Sequence, residues 1–204
     1  MKPSLKTILV LVATFSSIRV VRAQEVNAYL GFGSAYDTSN GAQIETFSDG
    51  SLYKTPSMGG FFGHIGAGVF ITKRLGLGTD ISWRFPQGDY AGIQYRPTFY
   101  NFDAIYQPLK GRTNRFAPEF RAGIGGAHVH FFTDDDQACA QVPGCQASNH
   151  FQWHLAVATR WYVTDHLFFR PILDVHYVNN FFEFGRNWVP EYSLGIGYSL
   201  GKSQ

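Results

Sequence analysis

The feature that most constrains this chain is a strict two-residue alternation of side-chain character over residues 150–163. One parity is mostly apolar and consists of Phe151, Trp153, Leu155, Val157, Thr159, Trp161 and Val163. The other parity is polar or small and consists of His150, Gln152, His154, Ala156, Ala158, Arg160 and Tyr162. Because successive side chains of a β-strand point to opposite faces, this period of two predicts one long strand with an apolar face.

The same alternation recurs along the chain. It is clear in three further segments, which are residues 75–85, 167–177 and 191–200. It is weaker in four others, which are residues 26–36, 58–71, 98–107 and 116–131. The total is eight strands, an even number, as a closed antiparallel barrel of a bacterial outer membrane requires. No apolar run after Gln24 is long enough for a membrane-spanning helix.

The connections between these segments alternate in length. The short ones are residues 72–74, 108–115 and 164–166, and the long polar or Gly/Asn-rich ones are residues 38–57, 86–97, 133–148 and 178–188. Outer-membrane barrels have short periplasmic turns and longer extracellular loops. The pattern therefore predicts that both chain termini lie in the periplasm.

The direction of the two faces decides between a membrane barrel and a soluble one. A soluble lipocalin-like cup would turn its apolar parity inward and expose the other parity to water. Here that other parity is rich in Gly and Ser, and only 16% of the chain is charged, against about 25% in ordinary soluble domains. Gly weakens a strand whose face is exposed to water, but inside a narrow barrel it leaves room for large neighbouring side chains. The sequence thus favours an all-β, eight-stranded, antiparallel, up-and-down transmembrane β-barrel, with the soluble ligand-binding barrel as the alternative.

Residues 1–23 have the features of a signal peptide, and residues 24–204 form the predicted barrel domain. Lys2 and Lys6 precede the apolar run 8–13, and Ala23 provides a small residue for cleavage before Gln24. Loss of this segment removes the cations Lys2, Lys6, Arg19 and Arg22 and turns the formal charge of +2 slightly negative. Export to the outer membrane is therefore expected, and nucleic acid is not an expected partner.

With this arrangement, Gln24 to Leu200 resembles the small eight-stranded outer-membrane barrels of the OmpX type and the transmembrane domain of the OmpA type. Members usually end the last strand in a Phe, whereas here Tyr198-Ser199-Leu200 is followed by residues 201–204. The expected function is non-enzymatic: envelope structure, surface interaction or limited permeability. The expected partners are outer-membrane lipid, lipopolysaccharide and an unidentified ligand of the extracellular loops. We expect a monomer without cofactor or metal.

Charged residues on the inward parity are predicted to pair, because isolated ions in a narrow low-dielectric lumen are costly. They are Asp80, Arg84, Asp103, Glu119, Arg121, Arg160, Arg170, Asp174 and Glu191. Such a network predicts a plug of side chains rather than an open pore. A small hydrophobic-solute channel remains an alternative.

Aromatic residues near strand ends on the apolar parity are typical of the girdle at a membrane interface. They are Trp83, Phe85, Phe151, Trp153, Trp161, Phe169 and Tyr198. A role in an apolar core is the alternative for the same residues.

Four histidines flank the third long loop. The alternation turns His128 and His130 outward and His150 and His154 inward, and only a bulge near Gly125-Gly126 would bring the pairs together. No metal site is therefore expected. Residues 134–136 form an acidic triplet in the loop, which is interpreted as a solvated tip.

Cys139 and Cys145 lie in that same loop, and an exported chain passes through an oxidising compartment. They are predicted to form a disulfide that closes a small ring.

A lipid A-modifying enzyme is the remaining alternative. Deacylases of this kind place a Ser and a His with an acidic partner at the outer rim. His176-Tyr177-Val178-Asn179, close to Glu183, resembles the His part of such a motif, but Val178 stands where the Ser is expected. Only Ser148 and Ser193 remain as nucleophile candidates, so no enzymatic activity is predicted.

Overall fold

The computed structural model describes residues 25–36, 41–45, 50–90, 92–109, 115–132 and 147–201. Eight antiparallel strands form the barrel: β1 (Glu25–Ala35), β2 (Phe62–Phe70), β3 (Leu75–Arg84), β4 (Ile93–Tyr106), β5 (Phe116–Phe132), β6 (Ala147–Tyr162), β7 (Leu167–Val178) and β8 (Trp188–Leu200). Each strand pairs with the next one, and β1 also pairs with β8, which closes the sheet. The predicted eight-stranded antiparallel barrel is confirmed.

Four short elements lie in the described parts of the connections. Gln43–Ile44 pairs with Tyr53–Lys54, Gly88–Tyr90 pairs with the start of β4, and Phe182–Phe184 forms a 3₁₀ turn. Within the described segments, no helix has the length and apolar character needed to cross a membrane.

Tight turns join β2 to β3 and β6 to β7 at one end of the barrel, where Ile71 and Val163 donate backbone hydrogen bonds to Leu75 and Leu167. We call this the periplasmic end and the opposite end extracellular, after the loop pattern of outer-membrane barrels. The N-terminal end of β1 and the C-terminal end of β8 both lie at the periplasmic end, since Val26 pairs with Leu200.

The apolar parity faces outward on every strand. The side chains of Leu155 and Leu194 are 58% exposed, whereas those of Glu119 and Arg160 are 0% exposed. A soluble protein does not expose such a continuous apolar surface. Apolar side chains on the outside and polar side chains on the inside are the arrangement of a membrane barrel. A soluble cup has the reverse arrangement.

Glycines on the inward parity make room for large neighbours. Tyr29 pairs with Gly66 on β2 and with Gly197 on β8, so its ring lies between two strands without side chains at that level. A Cβ atom at Gly66 would overlap the Tyr29 ring. The strand pattern therefore admits a buried tyrosine in a lumen only eight strands wide.

The strands that adjoin the extracellular loops differ most from prediction. Residues 86–97 were expected to be a long loop, but Gly88–Tyr90 pairs with Ile93–Tyr95 and β4 continues from that hairpin. The outward Arg96 and the inward Pro97 break the apolar alternation there, so this part of the strand carries no simple pattern. On β2 the difference is opposite, since the predicted segment 58–71 shortens to Phe62–Phe70.

Candidate functional site

A network of charged side chains fills the lumen, and Glu119 on β5 is its most connected member near the periplasmic end. Its carboxylate forms an ion pair with Arg160 Nη2 at 2.5 Å and accepts hydrogen bonds from Arg170 Nη2 at 2.9 Å and Arg121 Nε at 3.0 Å. Gln107 Nε2 adds a fourth contact at 3.3 Å. One carboxylate on one strand thus joins guanidinium groups from three strands.

The aromatic ring of Tyr29 lies beside the same arginines. The guanidinium carbon of Arg170 lies 4.0 Å from the ring centroid, and that of Arg121 lies 5.7 Å from it. Arg121 Nη1 also donates to the Tyr29 hydroxyl at 3.1 Å. The face of an aromatic ring attracts cations, so Tyr29 stabilises the positive side of the network.

Arg121 links Glu119 to two carboxylates in the middle of the barrel. Its Nη1 atom lies 2.8 Å from Asp80 Oδ1 and 3.3 Å from Asp103 Oδ2. Asn101 Nδ2 donates to Asp80 Oδ2 at 3.0 Å. The residues come from β3, β4 and β5, so the contacts tie three neighbouring strands together across the lumen.

His154 on β6 bridges Asp103 to one further carboxylate, that of Asp174. Its Nδ1 atom lies 2.7 Å from Asp103 Oδ1, and its Nε2 atom lies 2.8 Å from Asp174 Oδ1. Both ring nitrogens have an acceptor, as the doubly protonated ring requires. The imidazole thus links the two carboxylates.

A second group of side chains lies nearer the extracellular end. Glu191 on β8 accepts a hydrogen bond from Ser82 Oγ at 2.8 Å and lies 3.5 Å from His176 Nε2 and 3.7 Å from His64 Nδ1. His64 Nδ1 is also 3.1 Å from Ser193 Oγ. These residues continue the polar lumen upward from Asp80.

An apolar cluster covers the polar lumen at the extracellular end. Its buried members are Ala35, Met58, Phe62, Tyr90, Tyr95, Phe99, Ala127, Val129, Val178, Phe181, Phe184 and Val189. Phe99 is the lowest of these rings and stacks on His176 at a centroid distance of 4.8 Å. The segment after β7 contributes Phe181 and Phe184, whose rings stack at 4.5 Å. We call this cluster the extracellular cap.

A hydrogen-bonded pair holds that segment on the barrel. His150 Nε2 lies 3.1 Å from Glu183 Oε1, and the His150 ring packs edge-on against Phe181 at 5.3 Å. Asn187 Oδ1 accepts a hydrogen bond from the Phe181 backbone. The cap is therefore anchored by specific polar contacts as well as by apolar packing.

Aromatic side chains also close the periplasmic end. Tyr162 and Phe168 belong to a buried cluster with Tyr29 and Ala117. The Arg160 guanidinium lies between the rings of Phe70 and Phe168, at 5.1 and 5.2 Å from their centroids. Glu25 binds the outer side of Arg160 at 2.8 Å. The charged network thus lies between apolar layers at both ends.

The structure places the predicted lumen residues as follows. Asp80, Asp103, Glu119, Arg121, Arg160, Arg170, Asp174 and Glu191 are all buried and contact one another directly or through histidines. Arg84 is not joined to them. It lies half-buried at the extracellular rim, where its Nη1 atom donates to the Ser57 carbonyl at 2.9 Å and to the Tyr95 hydroxyl at 3.0 Å.

One lumen acid and the contacts of the lumen histidines with carboxylates were not predicted from the sequence. Glu25 lies on the inward parity of β1, but this strand was predicted to begin at Val26. His64, His154 and His176 were not counted as charge partners, although the inward parity contains all three. Among the described residues the lumen holds more carboxylates than guanidiniums, and the two that form no ion pair with an arginine, Asp174 and Glu191, lie beside these histidines.

The predicted interfacial aromatics lie on the outer face at both ends. At the extracellular end, Phe85 packs against Trp83 at 5.5 Å, and Phe151 packs against Trp153 at 5.4 Å. At the periplasmic end, the outward side chains are Trp161, Phe169 and Tyr198. Further outward aromatics extend both rings: Phe32, Phe61, Tyr177 and Trp188 above, and Phe116 below.

Asp80, Asp103 and His154 offer ligand atoms that lie within 4.8 Å of one another. Arg121 Nη1 already contacts both carboxylates, and a cation placed among them would face this guanidinium. The arrangement therefore fits an ion-pair network better than a metal centre. The four histidines near the third loop stay on opposite faces, because the pairing of β5 runs without a bulge through Gly125 and Gly126.

The lipid-modifying motif considered above does not face the lipid. His176 is buried in the lumen between Phe99 and His154, and Val178 belongs to the extracellular cap. Ser193 does contact a histidine, and His64 Nε2 lies 3.4 Å from Asp80 Oδ2. This Ser–His–Asp arrangement is buried inside the wall of the barrel and belongs to the polar network.

The predicted signal peptide, Cys139, Cys145 and the acidic triplet of residues 134–136 lie outside the described residues. Ser148 is the second residue of β6, at the extracellular end of the strand, and is half-buried.

No family model matches the chain, and no curated protein matches its sequence. Solved structures do match its fold. Pseudomonas aeruginosa OprG is 16% identical with a TM-score of 0.58, covering 88% of this chain and 97% of that one. The N-terminal β-barrel domain of OprF from the same organism is 14% identical with a TM-score of 0.54, covering 88% and 100%. Yersinia pestis Ail, in complex with the heparin analogue sucrose octasulfate, is 10% identical with a TM-score of 0.54, covering 86% and 98%.

The class of protein follows from these observations together. The chain has the fold of the small eight-stranded outer-membrane barrels, as its sequence pattern predicted. Its outward apolar surface requires a bilayer, and closed barrels of this kind span outer membranes. The protein is therefore an outer-membrane β-barrel.

Proposed function

We propose that this protein is a non-enzymatic outer-membrane barrel with a closed lumen, which acts through envelope structure and surface contacts. One observation carries the proposal: the ion-pair network around Glu119 and Arg121 fills the lumen, and apolar layers lie above and below it. Eight strands enclose a space just wide enough for side chains. The charged side chains inside the barrel therefore serve to hold the eight strands together.

The packing argues against the solute-channel alternative. A polar solute would have to separate the Phe99 ring of the extracellular cap from the His176 ring below it. It would then have to break the ion pair between Arg121 and Glu119. Breaking a buried ion pair typically costs about 3–5 kcal/mol. An apolar solute would cross the cap more easily but would then enter the charged layer, where it leaves polar groups without partners.

The same burial argues against the lipid-modifying alternative. A nucleophile that attacks an acyl ester must reach the outer face, where the lipid lies. Ser193 points into the barrel and is only 8% exposed. His64, its neighbour, is engaged by Glu191 and Asp80 as part of the lumen network.

For partners, we propose outer-membrane lipid and lipopolysaccharide around the barrel, a ligand of the extracellular loops, and a monomeric state. The closed sheet supports the monomer, since no strand of the barrel has a free edge to pair with a second copy. Ail, which shares the fold, was crystallised with a heparin analogue, so a barrel of this architecture is compatible with surface binding.

Planar-bilayer recording tests the closed lumen. The expected result is that the refolded wild-type protein inserts without stepwise ion conductance. A variant with a thinner extracellular cap, Phe99→Ala with Phe184→Ala, is expected to stay silent as well, because the charged layer beneath is unchanged. Reproducible single-channel steps from the wild-type protein would refute the proposal.

Mass spectrometry of lipid A tests the non-enzymatic part. Lipid A from cells that express the wild-type protein is expected to match lipid A from cells with the empty vector and with the His176→Ala variant. Loss or transfer of an acyl chain that depends on the wild-type protein would show an enzyme instead.

A further inference from the structure

Charge is distributed very unevenly between the two faces of the barrel. In the eight strands, every Asp, Glu, Lys and Arg lies on the inward parity except Arg96. Histidines follow a related pattern, since only His128 and His130 of these strands lie on the outward parity. Arg96 therefore breaks the rule that keeps charge away from lipid, and it does so beside the two outward histidines.

The strand register brings these residues together. Arg96 on β4 pairs directly with His130 on β5, and Thr98 pairs with His128. His128 in turn pairs with Asn149 on β6, and its Nδ1 atom lies 2.8 Å from Asn149 Oδ1. We call the surface formed by Arg96, His128, His130 and Asn149 the outer polar patch.

The depth of the outer polar patch follows from the same register. Tyr100, Gly126 and Phe151 form the last apolar outward row across β4, β5 and β6. His128 lies one row above, and Arg96 and His130 lie two rows above. A row advances roughly 6.7 Å along a strand, and a strand tilt of about 40° makes two rows roughly 10 Å along the membrane normal. Arg96 therefore lies at the height of lipid headgroups.

Arg96 is held in place yet has unused donors. Its Nη2 atom donates to the Phe85 carbonyl at 3.3 Å, and its guanidinium lies 5.5 Å from the centroid of the Phe132 ring. Its Nε atom is buried and makes no hydrogen bond, so the donors that a ligand can reach are those of Nη1 and Nη2. Among the described residues no carboxylate forms an ion pair with it, whereas Arg121, Arg160 and Arg170 each bind at least one.

We propose that Arg96, together with His130, binds the phosphate of a phosphorylated lipid in the outer leaflet. This rests on the proposed function, because it identifies where the barrel contacts its lipid partner. A guanidinium with free N–H groups matches phosphate oxygens, and the adjacent His130 imidazole supplies a further donor, while the N–H of the neutral His128 ring is already engaged by Asn149. The apolar row of Tyr100 and Phe151 directly below suits the acyl chains of the same lipid.

Native mass spectrometry in detergent micelles tests the site. The probes are lipid A, which has two phosphates, dephosphorylated lipid A with the same acyl chains, and inorganic phosphate. The variants are Arg96→Gln, Arg96→Lys and, as a control, Arg186→Gln, which removes the same charge from an exposed position at the same end of the barrel. Heat-modifiable gel migration verifies that each variant is folded.

The wild-type and Arg186→Gln proteins are expected to retain lipid A equally, and Arg96→Gln is expected to bind it roughly ten-fold more weakly. Arg96→Lys should recover part of the binding, and dephosphorylated lipid A should bind as weakly as lipid A binds to Arg96→Gln. Equal retention by Arg96→Gln and wild type, or by both forms of lipid A, would overturn the inference. Displacement of lipid A by millimolar inorganic phosphate would overturn the assignment to a lipid headgroup. A folded, non-conducting barrel with unchanged lipid A binding in Arg96→Gln would leave the proposed function intact.

Discussion

Replacing Glu119 with Gln tests how much the lumen network contributes to stability. The carboxylate contacts Arg121, Arg160 and Arg170 and is fully buried. Arg121 and Arg160 keep other carboxylates after the change, but Glu119 is the acid that pairs with Arg170 among the described residues. Removing one partner of a buried pair typically costs about 3–5 kcal/mol, since it leaves an uncompensated charge. We expect Glu119→Gln to lie in that range.

Reversible urea unfolding of the protein in lipid vesicles measures this loss. A second substitution, Arg170→Met, removes the orphaned cation, so the double variant should regain at least about 1 kcal/mol relative to Glu119→Gln alone. Asp165→Asn is the matched control, because Asp165 is exposed in a periplasmic turn and should change stability by less than about 0.5 kcal/mol. If Glu119→Gln were as mild as Asp165→Asn, the network would not be what stabilises the lumen.

Three further substitutions and one chemical test follow from the same geometry. Leu155→Arg on the outer face should lower the free energy of unfolding by roughly 2–4 kcal/mol near the bilayer midplane, whereas Ala156→Arg should be destabilising by crowding the lumen; two harmless results would mean that the orientation of β6 is wrong. Gly66→Leu should displace the Tyr29 ring and cost about 1–3 kcal/mol, which urea unfolding measures, and no loss would show that the glycine is not needed for space. Alkylation followed by intact-mass measurement should detect no free thiol before reduction if the Cys139–Cys145 ring is closed, and two alkylated thiols would contradict it.

Side-chain direction was predictable from the sequence because every second side chain of a strand points to the same face. Arg121, Arg160 and Asp174 all lie on the predicted parity. The depth of a side chain along the lumen depends on how neighbouring strands are staggered, and alternation in one strand does not contain that information. Arg84 is the example, since it is on the inward parity but at a height where Ser57, not a lumen acid, is its partner.

The extracellular cap was not predictable for a related reason. Met58, Phe181 and Phe184 come from connections between strands, and they meet Phe99 only because these segments fold back over the barrel. Hydrophobic residues in a connection do not reveal whether they cover the mouth or contact a partner. The outer polar patch escaped prediction because Arg96-Pro97 interrupts the apolar pattern on which the strand assignment depended.

The histidines illustrate a limit of residue-type reasoning. Their spacing suggested a metal site, and the opposite directions of the two histidine pairs excluded it. The balance of charges inside the lumen was a separate question that spacing and direction do not address. The network becomes complete once Glu25 and the inward histidines are included. His154 contacts Asp103 and Asp174, and no arginine of the described segments forms an ion pair with Asp174.

The central claim is that one parity of every strand meets acyl chains while the other encloses a packed lumen. A nitroxide scan of residues 151–162 in a Cys139→Ser/Cys145→Ser background tests it most directly, with oxygen and a nickel chelate as relaxing agents in vesicles. The account predicts high oxygen accessibility at positions 151, 153, 155, 157 and 161 and low accessibility to both agents at the positions between them. Uniform accessibility, or high chelate accessibility on the outward parity throughout the segment, would contradict it.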